Sequence, residues 1–169
     1  MDQSAFHASL PTKRVAAGVI ITDDLERVLL LQPSYKPTWE IPGGTARDGE
    51  SPRAAARREL REELGIDHEI GSLLVMDWVR AEPPRSESLV FVYDGETLDD
   101  AEARSLLLGR PELNAYGFVD MEGAVGLVSE RLERRIVAAL QARRARRAVE
   151  LEDGSPQIAR DLMVDRIRP

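Results

Sequence analysis

Between Ser51 and Gly65 the chain marks both ends of a helix. Ser51 supplies a side-chain oxygen that can cap the first turn, Pro52 has the fixed φ that suits the first helical position, and Gly65 suits the residue just past the last one. The pattern predicts a helix over Pro52–Leu64. At about 100° per residue its side chains fall into three sectors. Ala56, Leu60 and Leu64 form an apolar stripe, Arg57, Arg58 and Arg61 a basic sector, and Glu59, Glu62 and Glu63 share the remaining side. That acidic sector works against the helix. Glu59 and Glu63 are like charges four residues apart, a cost of about 0.2–0.5 kcal/mol. Acids near a helix C-terminus also oppose its dipole by roughly 0.3–1 kcal/mol each. A helix selected for stability alone would carry the arginines there.

Two readings account for the acids. One is a solvated face with Arg58 and Glu62 paired at i, i+4. The other is a site for a hard divalent cation, Mg²⁺ or Mn²⁺, which takes oxygen ligands and relieves the repulsion between them. An acid cluster beside an apolar stripe, preceded by the loop that carries Gly43, Gly44 and Gly49, favours the cation.

The rest of the chain reads as a sheet domain. Residues 14–22 and 27–31, joined through Asp23-Asp24, suggest a hairpin, and Pro33, Pro37 and Pro42 punctuate a loop around Trp39. The backbone is expected to stay irregular from Gly43 to Glu50. Further strands are expected at 70–79 and 88–93, flanking the Pro83-Pro84 turn, and near 116–119, while 95–111 reads as either a loop or a short helix. Leu132, Ile136 and Leu140 recur at helical spacing, so a second long helix is expected from Ser129 to about Arg147. Two helices and several strands in mixed order imply an α/β or α+β domain. Residues 1–13 read as a mobile arm, 14–147 as the domain, and 148–169 as a tail whose Ile158, Leu162, Met163 and Ile167 could pack on the domain or on a second subunit.

Composition narrows the chemistry. With 169 residues there is room for one core, and 30 acidic against 23 basic residues leave a net charge of −7. That balance disfavours general binding to nucleic acid or to an anionic membrane, so an anionic ligand must be held locally by a cation or a loop. There is no cysteine, hence no thiolate nucleophile and no Cys-ligated zinc, and only His7 and His68 offer imidazole. Catalysis falls to carboxylates. No apolar run reaches membrane-spanning length and the start MDQSAFHASLPTKR lacks the features of a secretory signal, so a cytoplasmic protein is expected.

From Gly44 the chain reads GTARDGESPRAAARRELREELGI, which resembles the box motif of the Nudix hydrolases at each fixed position: Gly44, Glu50, Arg58, Glu59, Leu60, Glu62, Glu63, Gly65 and Ile66. The approach Trp39-x-x-Pro42-Gly43-Gly44, the hairpin before it and the late helix agree with that family. The resemblance implies an α/β/α sandwich with a mixed sheet. It also implies hydrolysis of a pyrophosphate linkage in a nucleoside diphosphate derivative such as ADP-ribose or a nucleotide sugar, using Mg²⁺ or Mn²⁺. Carried over by position, Glu59, Glu62 and Glu63 would be the main metal ligands, Glu50 a peripheral one and Gly44 a carbonyl ligand. Arg58 would orient the carboxylates rather than touch substrate, and Arg57 and Arg61 would be surface residues.

The general base is expected either on the box helix or in the loop before a late strand, where Glu112 precedes Phe118; Glu96, Asp99, Asp100 and Glu102 compete with it. Substrate contacts are expected outside the box, with Arg80 and Arg85 as candidates for phosphate or sugar and Tyr35, Trp39, Trp78 and Tyr116 as stacking surfaces. Three alternatives need weighing within the resemblance. A prenyl-diphosphate isomerase would need a catalytic cysteine and is excluded. A nucleotide-sensing domain would carry a decayed box and an added DNA-binding unit, and this chain has neither. A pyrophosphohydrolase of RNA 5′ ends or dinucleoside polyphosphates stays open, since Arg143, Arg144, Arg146 and Arg147 cluster at a helix end. Relatives often dimerise, so a homodimer is a further expectation.

Overall fold

The structure, a computed structural model, describes residues 2–157. Its strands are β1 (Arg14–Asp23), β2 (Val28–Pro33), β3 (Gly43–Thr45), β4 (Leu73–Val79), β5 (Ser88–Leu98), β6 (Leu113–Val119), β7 (Val149–Glu152) and β8 (Ser155–Pro156). The helices are α1 (Gln3–Ser9), α2 (Pro52–Leu64), α3 (Asp100–Ser105), α4 (Met121–Ala124) and α5 (Glu130–Ala145). All eight strands join one sheet in the order β6-β2-β1-β5-β4-β7-β8, with β3 also paired to β1. The sheet is mixed: β1 runs parallel to β5 and β4 parallel to β7, while the other pairs are antiparallel.

Both faces of this sheet are covered, which is why β1 and β2 read as apolar runs without alternation. Val19 and Ile21 of β1, with Leu29 and Leu31 of β2, pack on one side against Ala55, Ala56, Leu60 and Leu64 of α2. Ile20, Val28 and Leu30 point the other way, to Leu132, Ile136, Ala139 and Ala142 of α5. The result is the α/β/α sandwich. Each fully buried leucine or isoleucine contributes about 1.5–3 kcal/mol to holding a helix on the sheet. Among the described residues no helix is long and apolar enough to cross a membrane.

Several segments differ from the sequence reading. Gly43–Thr45 is not irregular but a short strand, because β1 offers it an open edge at Ala16, Ala17 and Gly18. The undecided stretch 95–111 splits into the end of β5 and α3, the latter started by a capping box between Asp99 and Glu102. The expected arm contains α1, capped by Asp2 and with no buried residue. Beyond Arg147 the chain returns to the sheet, where β7 lies parallel to β4 and buries Leu151. Ile158, Leu162, Met163 and Ile167 lie outside the described residues.

Polar ties fix α5 on the sheet. Asp77 of β4 is fully buried, and its Oδ2 accepts from Arg135 Nε at 2.9 Å and Nη2 at 2.6 Å, while Oδ1 accepts from the Gly154 N–H at 3.0 Å. Arg143 donates to the Ile20 carbonyl at 2.7 Å and reaches Asp94 at 2.6 Å, and Arg144 reaches Glu26 at 3.0 Å. At least two arginines of the terminal cluster therefore have partners within the fold.

Candidate metal and active site

Helix α2 begins as its sequence dictates. Ser51 Oγ accepts from the Ala54 N–H at 3.2 Å, and Gly65 closes the other end with φ 71°. The acidic sector, however, is not a solvated face. Glu59 is 3% exposed and Glu63 7%, so two of the three carboxylates lie beside the apolar stripe rather than opposite it.

They are buried because β3 runs over them. The Gly43 N–H donates to Glu63 Oε2 at 2.8 Å. A β-carbon on Gly44 would lie 2.4 Å from Glu59 Oε1, and one on Gly43, whose φ is +148°, would lie 2.2 Å from the Ala17 carbonyl oxygen. The two glycines thus let the backbone come into contact with the carboxylates and with β1 at once.

Arg58 organises the acids. Its Nε and Nη2 donate to the two oxygens of Glu50 at 2.8 and 2.9 Å, and Nη2 also donates to the Thr45 carbonyl at 3.1 Å. Its Nη1 donates to Glu59 Oε1 at 2.7 Å and to Glu62 Oε2 at 3.2 Å. The bidentate pair with Arg58, aided by the Arg47 backbone N–H, holds Glu50 down at about 2. The same contacts raise Arg58 further above its already high value. At Glu62 partial burial pulls upward, but Arg110, Arg47 and Arg58 outweigh it and the net shift is downward. Glu63 goes the other way, to about 8. Burial is the main cause and the charges of Glu59 and Glu112 add to it, against the Gly43 N–H and Arg110. Arg57 and Arg61, grouped with Arg58 on the wheel, turn outward to Asp67 at 2.8 and 2.7 Å.

Arg110 escaped the sequence reading. Its Nη2 lies 2.7 Å from Glu59 Oε2 and also contacts Glu62 Oε2, and its Nη1 is 3.8 Å from Glu112. The segment that carries it is moored to the end of α2, where the Leu107 and Gly109 N–H groups donate to the Leu64 and Glu63 carbonyls, each at 3.0 Å. These bonds satisfy orphan carbonyls of the helix, and they set Arg110 and Glu112 opposite the acids. A lone cation after an acidic stretch, next to a glycine, was the only trace of this in the sequence.

The cleft lined by Tyr35, Gly43, Gly44, Arg47, Glu59 and Glu63 also includes Arg58, Arg110 and Glu112. Among the described residues no three carboxylate or imidazole side chains are already spaced as a cation's ligand set. Arg58 and Arg110 fill the space between the carboxylates. The donor chemistry still fits a hard cation: every candidate ligand is an oxygen, and the fully buried Glu59 Oε2 accepts no hydrogen bond, since Arg110 approaches it out of line.

A family model described as NUDIX domain matches residues 12–140. The chain belongs to the Nudix family. An RNA pyrophosphohydrolase of Ruthia magnifica subsp. Calyptogena magnifica is 37% identical over 73 residues, which are 42% of this chain and 41% of the relative. An 8-oxo-dGTP diphosphatase of Proteus vulgaris is 41% identical over 71 residues, 40% of this chain and 56% of the relative. The chain thus spans about half the length of the curated relatives it matches. The NUDIX domain of Shewanella oneidensis NrtR, solved in complex with ADP ribose, shares the fold with a TM-score of 0.65 at 15% identity, covering 83% of this chain and 98% of that one.

Within this Nudix fold the expected site residues separate into two groups. Gly44, Glu50, Arg58, Glu59, Glu62, Glu63 and Glu112 come together around the cleft. Arg80, Arg85 and Trp39 do not line it. Arg80 lies just past the end of β4, where its backbone N–H and guanidinium both bond Asp153. Arg85 pairs through its backbone with Glu82. Trp39 packs against the α5-side core, its ring close to Gly117. Of the four candidate stacking aromatics, Tyr35 alone lines the cleft, while Tyr116 packs on the α2-side core.

Proposed function

We propose that this chain hydrolyses the pyrophosphate linkage of a nucleoside diphosphate derivative, such as ADP-ribose or a nucleotide sugar, with Mg²⁺ or Mn²⁺ as cofactor. The observation that carries this reading is the packing of the buried Glu59 and Glu63 against the Gly43–Thr45 strand, with Glu62 joined to Glu59 through Arg58 and Arg110. Glu59, Glu62 and Glu63 would hold the cation, with the Gly44 carbonyl beside them and Glu50 at the periphery. A divalent cation bound there would neutralise phosphate charge and lower the pKa of a water.

The protein's own groups do the rest. Arg58 is a positioning residue, fixing the Glu59 and Glu62 carboxylates through Glu50 and the Thr45 carbonyl. Glu112, on the opposite wall of the cleft and 45% exposed at its side chain, accepts the proton of the attacking water. The water oxygen adds to one phosphorus as its bond to the bridging oxygen breaks, and two phosphorylated products leave. Tyr35 at the cleft offers a face for the base.

A second reading, hydrolysis at RNA 5′ ends or of dinucleoside polyphosphates, is favoured by the relative named RNA pyrophosphohydrolase. A panel of ADP-ribose, nucleotide sugars, dinucleoside polyphosphates, nucleoside triphosphates and 5′-triphosphorylated RNA, incubated with Mg²⁺ and followed by chromatography of the phosphorylated products, separates the two. Cleavage of ADP-ribose or a nucleotide sugar, lowered at least about a hundredfold in kcat by Glu63→Gln, is the expected outcome. Full Mg²⁺-dependent turnover by the Glu63→Gln variant would sink the mechanism.

A further inference from the structure

Arg110 stands outside the box motif, yet one guanidinium meets three of the carboxylates assigned above. It touches Glu59 Oε2 and Glu62 Oε2 and stands 3.8 Å from Glu112 Oε1. A guanidinium and a divalent cation cannot share the same two oxygens, because positive centres so close repel strongly inside a protein. If a cation binds Glu59 and Glu62, Arg110 must leave them.

The geometry lets the side chain move while its backbone stays. The Leu107 and Gly109 N–H groups are bonded to the end of α2, the Leu113 N–H donates to the Arg110 carbonyl at 3.1 Å, and a β-carbon on Gly109 would lie 2.3 Å from the Glu62 carbonyl oxygen. The Arg110 side chain is 27% exposed and faces the open cleft. The other two arginines of the cleft have different ties. Arg58 is locked bidentate on Glu50, and Arg47 binds Glu62 from the rim with its side chain largely in solvent. Arg110 is thus the cation that the cleft can release inward. A guanidinium displaced there stays beside Glu112 and is free to bind a phosphate group entering the cleft through two parallel N–H bonds.

We infer that Arg110 competes with the divalent cation for Glu59 and Glu62 and, once displaced, binds the substrate's pyrophosphate. This rests on the reading of the acid cluster as a cation site. It makes Arg110 a substrate-binding residue and couples the two ligands, since phosphate that engages Arg110 also frees carboxylate oxygens for the metal.

The test uses the full chain and two ligands. Mn²⁺ binding is titrated by electron paramagnetic resonance in the parent and in Arg110→Ala, Arg110→Gln and Arg110→Lys. ADP binding is then measured calorimetrically at saturating Mn²⁺. Removing the competitor is expected to tighten Mn²⁺ about tenfold in the Ala and Gln variants and to weaken ADP about tenfold, with Lys close to the parent in Mn²⁺ affinity. A static brace would move neither ligand in these opposite directions. Mn²⁺ affinity that is unchanged or weaker in both neutral variants overturns the competition, and unchanged ADP affinity overturns the phosphate contact. A parent that binds no Mn²⁺ overturns the cation site itself, and this inference with it.

Discussion

Glu63→Gln should stabilise the protein in chelator while destroying its function, and the gain should grow with pH. Glu63 is 7% exposed, and burial holds its carboxyl at about 8 against an ordinary 4.5. Between those values the folded protein keeps a proton that the unfolded chain has lost, so stability falls as pH rises by about 1.4 kcal/mol per unit. The contribution is intact below about 4.5 and lost once pH passes about 8. Over the window the loss amounts to about 3–5 kcal/mol. A glutamine at this position has no proton to lose, and its amide oxygen can still accept from the Gly43 N–H. Urea unfolding of both proteins in EDTA from pH 5 to 9 isolates the effect, because titrating groups remote from Glu63 cancel in the difference. The variant's advantage should be smallest at pH 5, rise through neutrality and level off above pH 8. With saturating Mg²⁺ the order should reverse, since the metal favours the ionised carboxylate and binding releases its proton. A difference that stays flat across this range would refute the argument that burial at the end of α2 holds Glu63 neutral.

Three other perturbations probe the same frame. Arg58→Ala leaves the buried Glu59 carboxylate without its 2.7 Å donor and should cost about 3 kcal/mol in denaturant unfolding, with Arg58→Lys a poor rescue because it cannot bridge Glu50 and Glu59 together. Gly44→Ala places a methyl 2.4 Å from Glu59 Oε1 and should weaken Mn²⁺ binding at least about tenfold while the fold survives by circular dichroism. Asp77→Ala strands the Arg135 guanidinium between β4 and α5, and unfolding should show a loss of about 3–5 kcal/mol, far more than at an exposed acid such as Glu130.

What could be seen in advance followed from how local each signal was. Helix α2 was legible to the residue because Ser51, Pro52 and Gly65 act on their own neighbours. The burial of both sheet faces was legible in the unbroken apolar runs of β1 and β2. Strand β3 was not, because Gly-Gly-Thr has no strand preference of its own and is extended only by pairing with Ala16 to Gly18. Strand β7 was missed for a related reason. Of its four residues only Leu151 is buried, and its partner β4 lies more than seventy residues earlier. The acidic sector stood out in the sequence, but the wheel placed Arg58 with Arg57 and Arg61. A long side chain can turn back over its own helix, and the Glu50 carboxylate draws it there. Arg110 lies forty-eight residues from Glu62, and only the docking of its loop on the α2 carbonyls brings them together. Arg80 looked free as a sequence and is engaged as a structure through Asp153, which the local pattern did not mark as a partner, while Arg85 is tied to Glu82 by its backbone alone.

The claim on which the rest depends is that Glu59, Glu62 and Glu63 form a cation site. Anomalous diffraction from crystals grown with Mn²⁺ at a few millimolar tests it directly. The expected result is a peak within about 2.0–2.6 Å of oxygens from at least two of these residues, with the Arg110 guanidinium moved off Glu59. No peak at the cluster, with Arg110 still seated on the carboxylates, would contradict it.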